Sequence, residues 1–145
     1  MPFYFFIHTL TLLRIVNEIM DLESVFTDKA PKPIGPFSQA IKTEQFVFCS
    51  GQVGTDPLTG TMISDKVEDQ ARQALTNLKN VLIASNLSLN NVVKTTIFLE
   101  SMDNFKIVNQ IYESFFGEHK PARTTVQVAR LPLDALVEIE CIAVR

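Results

Sequence analysis

Cysteine and histidine are scarce in this 145-residue chain, with two of each, and that scarcity removes several kinds of protein at once. Cys49 and Cys141 stand in separate apolar, strand-like runs, so there is no disulfide framework. They read as small buried thiols of a reducing compartment. A bridge between them is the lesser reading, because spacing along the chain says nothing about distance in space. His8 and His119 lie far apart without companions at ligand spacing, which argues against a structural metal, since zinc needs three or four converging ligands. Charge of one sign is lacking too. A formal net charge of −3 gives no pull toward nucleic acid or an anionic membrane, and no basic run with interleaved aromatics occurs. The apolar stretch Phe3 to Leu13 is short of the ~20 residues that cross a bilayer. Gly51-Gln-Val-Gly54 lacks the Gly-Lys-Ser/Thr of a phosphate loop and the spacing of a dinucleotide loop. No Gly-x-Ser-x-Gly elbow is present, and no histidine is placed to serve a nucleophile. The apolar neighbours of Cys49 argue against a reactive thiolate there.

What is present is apolar bulk. With 46% hydrophobic residues and eleven phenylalanines, one domain of this length builds a core without staples. The first twenty residues differ in character from the rest, and residues 1–24 are read as an atypical N-terminal extension to a domain over 25–145. Three accounts of the extension stand: a start artefact with Met20 the working start, an organelle-targeting segment with Arg14 its only positive charge, or a surface helix using Leu10, Leu13, Val16 and Met20. The first and third rank above targeting, and a membrane anchor ranks last. The expected location is cytoplasmic, with organellar targeting by residues 1–20 left open.

From Ala30 to Pro36 the prolines dictate an extended lead-in. Phe37–Thr43 and Gln45–Val53 read as an antiparallel hairpin. Asp65 and Glu68 form a capping-box signature ahead of a helix whose apolar face is Val67, Ala71, Leu75, Leu78 and Leu82, with Asn86 as its stop. Val92–Glu100 is a strand. Ser101 or Asp103 caps a second helix with a stripe of Phe105, Val108, Tyr112 and Phe115/Phe116, and Gly117 ends it. Strands over Thr124–Ala129 and Leu136–Val144 follow, separated by the turn Arg130–Ala135. The expected fold is α/β, in the order β-β-α-β-α-β-β, a mixed sheet with two helices on one face. Several strands are apolar on both sides, such as Phe46 and Phe48 alternating with Val47 and Cys49. Such strands expect cover on both faces. Since two helices can cover only one, a second copy of the chain is the expected cover for the other.

One residue stands out chemically. Arg123 enters a β-branched, half-buried run, and a permanently charged guanidinium needs an anionic partner. That partner is either Glu138 or Glu140 on the following strand, in a salt bridge, or the carboxylate of a ligand held in a bidentate fork. Composition and spacing do not choose between them.

Several segments, however, together resemble one family: Ile34-Gly-Pro-Phe-Ser-Gln-Ala40, Phe48-Cys-Ser-Gly-Gln52, Gln70-Ala-Arg-Gln-Ala-Leu75, Val93-Lys-Thr-Thr96, Pro121-Ala-Arg-Thr-Thr-Val-Gln-Val-Ala-Arg-Leu-Pro132 and Val137-Glu-Ile-Glu140. In unbroken order from about Ala30 to the C-terminus they resemble the RidA/YjgF family of reactive-intermediate deaminases, often labelled L-PSP endoribonucleases. The resemblance implies a chorismate-mutase-like homotrimer with a cleft at each subunit interface. It also implies cofactor-free hydrolysis of 2-imino acids, or their enamine tautomers, to 2-keto acids and ammonia. Carried onto this chain, it makes Arg123 the anchor of the substrate carboxylate and Glu138 the holder of the attacking water. Ser50 and Gly51 line the pocket, and Asn109 supports it. Phe37 stands where the family most often has Tyr, keeping an aromatic wall without a hydroxyl. Thr125 replaces a frequent Cys, and the loop Gly117–Lys120 is shorter than in some relatives. Two other functions remain in view: an RNA-cleaving translation inhibitor, for which this acidic chain offers neither a His pair nor a stacking platform, and a non-catalytic module that binds small keto or imino acids.

Overall fold

Six strands form one mixed sheet in the computed structural model, which describes residues 22–145. The helix expected from Leu10 to Met20 and the reading of His8 lie outside the described residues. The strands are β1 (Glu23–Val25), β2 (Ala40–Lys42), β3 (Phe46–Val53), β4 (Val92–Leu99), β5 (Ala122–Gln127) and β6 (Val137–Val144), in the spatial order β1-β2-β3-β6-β4-β5. Only β4 and β5 run parallel, and the helix between them makes the crossover; every other pair is antiparallel. The helices are α1 (Val67–Ala84) and α2 (Phe105–Phe116), packed side by side on one face of the sheet.

The α1 face expected from its periodicity is buried in full, with Ala71, Leu75, Leu78 and Leu82 at 0% exposure. Its stop is also as expected. Asn86 adopts a left-handed φ of 62°, and the Asn86 and Leu87 amides donate to the carbonyls of Ile83 and Leu82, each at 2.9 Å, a Schellman arrangement. Its start is a correction. Lys66, not Asp65, takes the cap position, with no side-chain cap bond. Ser64 accepts from the Lys66 amide at 3.0 Å and donates to Asp69 at 2.8 Å, so the local hydroxyl displaces the capping box. Gly117 ends α2 at φ 57°, as its place in the sequence suggests.

Two further differences have a common cause. β1 was not expected, and it crosses the boundary drawn between residues 24 and 25: Glu23, Ser24 and Val25 pair with Lys42, Ile41 and Ala40. The first expected strand begins at Ala40 instead of Phe37. Gln39 explains both, because its buried amide accepts from the Thr27 amide at 2.7 Å and donates to the carbonyls of Thr27, Ala30 and Pro31. The chain at Gln39 therefore serves the lead-in, and the lead-in carries β1 alongside β2.

The sheet face away from the helices presents Phe48 at 45% exposure and Val126 at 40%, while Val47, Ile97, Ile139 and Ala143 beneath the helices are sealed. Cys49 faces Cys141 across β3 and β6 on the sealed side, and both are free, buried thiols. Their contact, with burial, pushes the Cys141 thiol far above its ordinary range, the opposite of an activated nucleophile.

Leu78→Ala should lower the unfolding free energy by about 2–5 kcal/mol, the cost of a core cavity. Ile83→Ala, on the exposed side of the same helix, should change it by no more than about 0.5 kcal/mol. Urea denaturation at equal protein concentration reads both.

Candidate functional site

Side chains alternate along a strand, so register decides which candidate residues meet. Arg123 of β5 pairs with Thr95 of β4, which pairs in turn with Cys141 of β6. Thr95 is buried beneath α2, where its hydroxyl meets the Tyr112 hydroxyl at 2.9 Å. Arg123 therefore points to the helix side. Asn109 and Tyr112, three residues apart on α2, present one face to it. The Arg123 Nη2 donates to Asn109 Oδ1 at 2.8 Å, and its guanidinium carbon lies 4.9 Å from the centre of the Tyr112 ring. Together with Phe116, Lys120 and Pro121 they line a cleft of about 390 Å³. Thr125, two residues on, shares this face of β5 but lies outside the cleft's lining.

Glu138 is elsewhere. It pairs with Phe98 and Val53, and its neighbours Val137 and Ile139 are sealed beneath the helices, so its carboxylate projects from the opposite face. There it meets Gly51 so closely that a β-carbon at that position would overlap the carboxylate oxygen. A side chain at position 51 would therefore displace the Glu138 carboxylate from this place. Phe37, Ser50 and Gly51 join Glu138 around a second cavity of about 600 Å³. Ser50 donates to the Ser38 carbonyl at 2.6 Å, tying the β3 edge of this cavity to the lead-in before β2. Burial, reinforced by the charge of Glu140 two residues along, raises the Glu138 carboxyl above its ordinary value.

The sequence-derived residues thus fall into two groups on opposite faces of one sheet: Arg123, Asn109 and Thr125 on the helix side, and Phe37, Ser50, Gly51 and Glu138 on the other. The salt bridge weighed between Arg123 and Glu138 or Glu140 is absent; the ion pairs among the described residues are Lys42–Glu23 and Arg130–Asp134. In the sequence Tyr112 belongs to an apolar stripe and carries no further mark. Its spacing of three from Asn109 was the available signal that both would reach one β5 residue. Lys32 also lines the Glu138 cavity, and nothing in its proline-rich surroundings marked it.

Among the described residues no group of three or more His, Cys, Asp or Glu could hold a metal ion, and no helix is long and apolar enough to cross a membrane.

A sequence profile described as Endoribonuclease L-PSP matches residues 27–145. A RutC family protein of Pyrococcus horikoshii is 51% identical, over 83% of this chain and 96% of its own. The 2-iminobutanoate/2-iminopropanoate deaminase of Mus musculus is 47% identical, over 83% of this chain and 90% of its own. The crystal structure of Escherichia coli TdcF with bound serine superposes with a TM-score of 0.81 at 43% identity, covering 85% of this chain and 98% of that one.

The raised Glu138 carboxyl has a consequence for stability. Below the ordinary value of 4.5 the acid is protonated in both folded and unfolded chains. As pH rises, the unfolded chain ionises first, so folding loses free energy until the folded carboxyl ionises as well. Wild type should therefore lose stability relative to Glu138→Gln as pH rises from that value, with the loss complete once the folded carboxyl has titrated. Urea denaturation of both proteins from about pH 4 to about pH 8 measures the difference.

Proposed function

The chain belongs to the Endoribonuclease L-PSP family, and we propose that it hydrolyses reactive 2-imino acids and their enamine tautomers, 2-iminobutanoate and 2-iminopropanoate among them, to 2-keto acids and ammonia. The observation that carries this reading is the state of Arg123. Its guanidinium is half-buried, stacked on an aromatic ring and bonded to a neutral amide, with no carboxylate in ion-pair range among the described residues. A permanent cation in that position calls for a carboxylate supplied from outside. The deaminase name of the mouse relative and the serine bound to TdcF agree with a small amino-acid-like ligand.

In this mechanism Arg123 holds the substrate carboxylate and Asn109 orients the guanidinium. Glu138 accepts a hydrogen bond from a water aimed at the imine carbon. As the new C–O bond forms on the protonated imine, the C=N π electrons become the lone pair of the amine, and one proton of the water passes to the carboxylate. Returned to the amine of the carbinolamine, that proton lets the C–N bond break with its electron pair on nitrogen, while the hydroxyl oxygen forms the keto C=O and hands its own proton to the carboxylate or to the departing ammonia. The imine carbon is already electrophilic, so orientation and one proton acceptor suffice. A carboxyl titrating above its ordinary range is better matched to that transfer near neutral pH. Phe37 forms an aromatic wall, and Ser50 and Gly51 the floor beside Glu138.

One chain cannot bring Arg123 and Glu138 onto the same substrate, because they stand on opposite faces of the sheet. Assembly as a homotrimer resolves this, with the Arg123 cleft of one protomer set against the Glu138 cavity of the next. The exposed Phe46, Phe48, Val126 and Val144 supply the apolar area for such a contact. Against the ribonuclease in the family's description stands the pair Glu138 and Glu140 on the open face, which repels phosphates.

Arg123→Ala removes charge-assisted bonds of about 1.5–3 kcal/mol each, so kcat/KM for 2-iminobutanoate should fall by about 100-fold or more; Glu138→Gln should fall comparably. Co-expressed in equal amounts, the two inactive variants should regain about a quarter of wild-type turnover, the fraction of interfaces that combine an intact Arg123 with an intact Glu138. No regain would refute the shared site.

A further inference from the structure

Beside Lys32, the mouth of the Glu138 cavity carries apolar side chains that the folded chain leaves in water. Leu58 is 91% exposed, Ile34 78%, Leu133 54% and Phe37 52%, and all four line the cavity. Single exposed hydrophobes need no explanation, but four converging on one rim form a patch. Leu133 adds a sharper observation. It sits at φ 56°, ψ 24°, and Asp134 follows at φ 53°, two successive non-glycine residues in the left-handed region that branched side chains avoid. The turn is locked from both ends. Arg130 Nε donates to Asp134 Oδ1 at 2.7 Å, and the Ala135 amide donates to the Pro132 carbonyl at 3.1 Å. A glycine would adopt this backbone without strain, yet the chain places a leucine there, on the wall that also carries Glu138. Held strain of this kind marks positions where the side chain's placement matters.

We infer that Leu133 and Leu58 form the pocket for the substrate's own side chain and select aliphatic 2-imino acids of leucine size over two- and three-carbon ones. The inference rests on the Glu138 cavity being the imine site. With the reacting carbon beside Glu138, the substituent on that carbon extends toward the rim, where a branched alkyl chain displaces water from the leucines and a methyl group does not reach them. The cavity's volume of about 600 Å³ is ample for such a substituent.

The test measures kcat/KM for the imines of leucine and of alanine, each generated in situ by an amino-acid oxidase, in wild type, Leu133→Gly and Leu58→Ser. Leu133→Gly keeps the turn and relieves its strain, so folding is not at risk. The leucine-to-alanine ratio of kcat/KM should fall about 10-fold in each variant, through a lower value for the leucine imine, as expected for lost contacts in a hydrophobic pocket. An unchanged ratio, or both substrates falling together with loss of assembly by size-exclusion chromatography, overturns the inference and makes the rim a subunit contact. Calorimetric binding of 4-methyl-2-oxopentanoate against pyruvate, the corresponding keto acids, separates this outcome from failure of the deaminase reading. If no imine is turned over but the branched keto acid binds more tightly and loses that advantage in Leu133→Gly, the pocket stands and the catalysis does not. Equal binding of the two acids in wild type refutes the pocket.

Discussion

Side chains on a β-strand point alternately to its two faces, and among the described residues the six-stranded sheet has helices on one face. Most of the molecule's features descend from that. Residues of β3, β4 and β6 that fall beneath α1 and α2 form a sealed core, in which Val47, Leu99, Val137 and Ala143 have no exposure. Their alternates form a second surface on which phenylalanines and valines mix with Glu138 and Glu140. An apolar surface of this kind is stable in water only as a compromise, and it calls for cover. The same alternation keeps Arg123 and Glu138 apart within a chain. That separation leaves the two groups without an ion pair between them.

The loops around the Glu138 cavity are held by buried amides more than by apolar packing. Gln39 ties the proline-rich lead-in to the sheet. Asn77, fully buried on α1, donates to the carbonyls of Val53 and Thr55 where β3 leaves the sheet. Gln70 donates to the Ser64 carbonyl and accepts from the Leu136 amide just before β6. Gly54 permits this last contact, since a β-carbon there would strike the Gln70 backbone. Leaving any one of these polar groups buried and unpaired costs about 1–3 kcal/mol, so the loops are specified, not merely tolerated. The segments that carry Pro31, Thr55 and Leu136 are thereby fixed relative to one another, and the cavity they border has a defined shape.

Much of this architecture is legible in the amino-acid sequence because it depends on short-range periodicity. A face of Val67, Ala71, Leu75, Leu78 and Leu82 can only be a helix with one buried side, and Asn86 and Gly117 end helices through backbone conformations set by their own residue types. The apolar doubling of Phe46 to Cys49 announces a sheet that wants cover on both faces. Arg123 is visible as a charge out of place in a β-branched run, and the segments around it carry the family resemblance. Tertiary structure decided everything that depends on partners distant in the chain. β1 exists because Gln39 turns the lead-in back along β2, which no three-residue pattern in Glu23–Val25 announces. Ser64, not Asp65, organises the start of α1, its hydroxyl accepting from the Lys66 amide and donating to the Asp69 carboxylate. Whether Arg123 meets Glu138 is settled by register and face: moving a strand by one residue would exchange the two sides of the sheet, and no local signal records which side a residue takes. The residue types and their order determine which chemistry this protein carries, whereas the pairing of strands determines that its two charged groups stand on opposite faces, because facing is a property of contacts between segments and not of any segment alone.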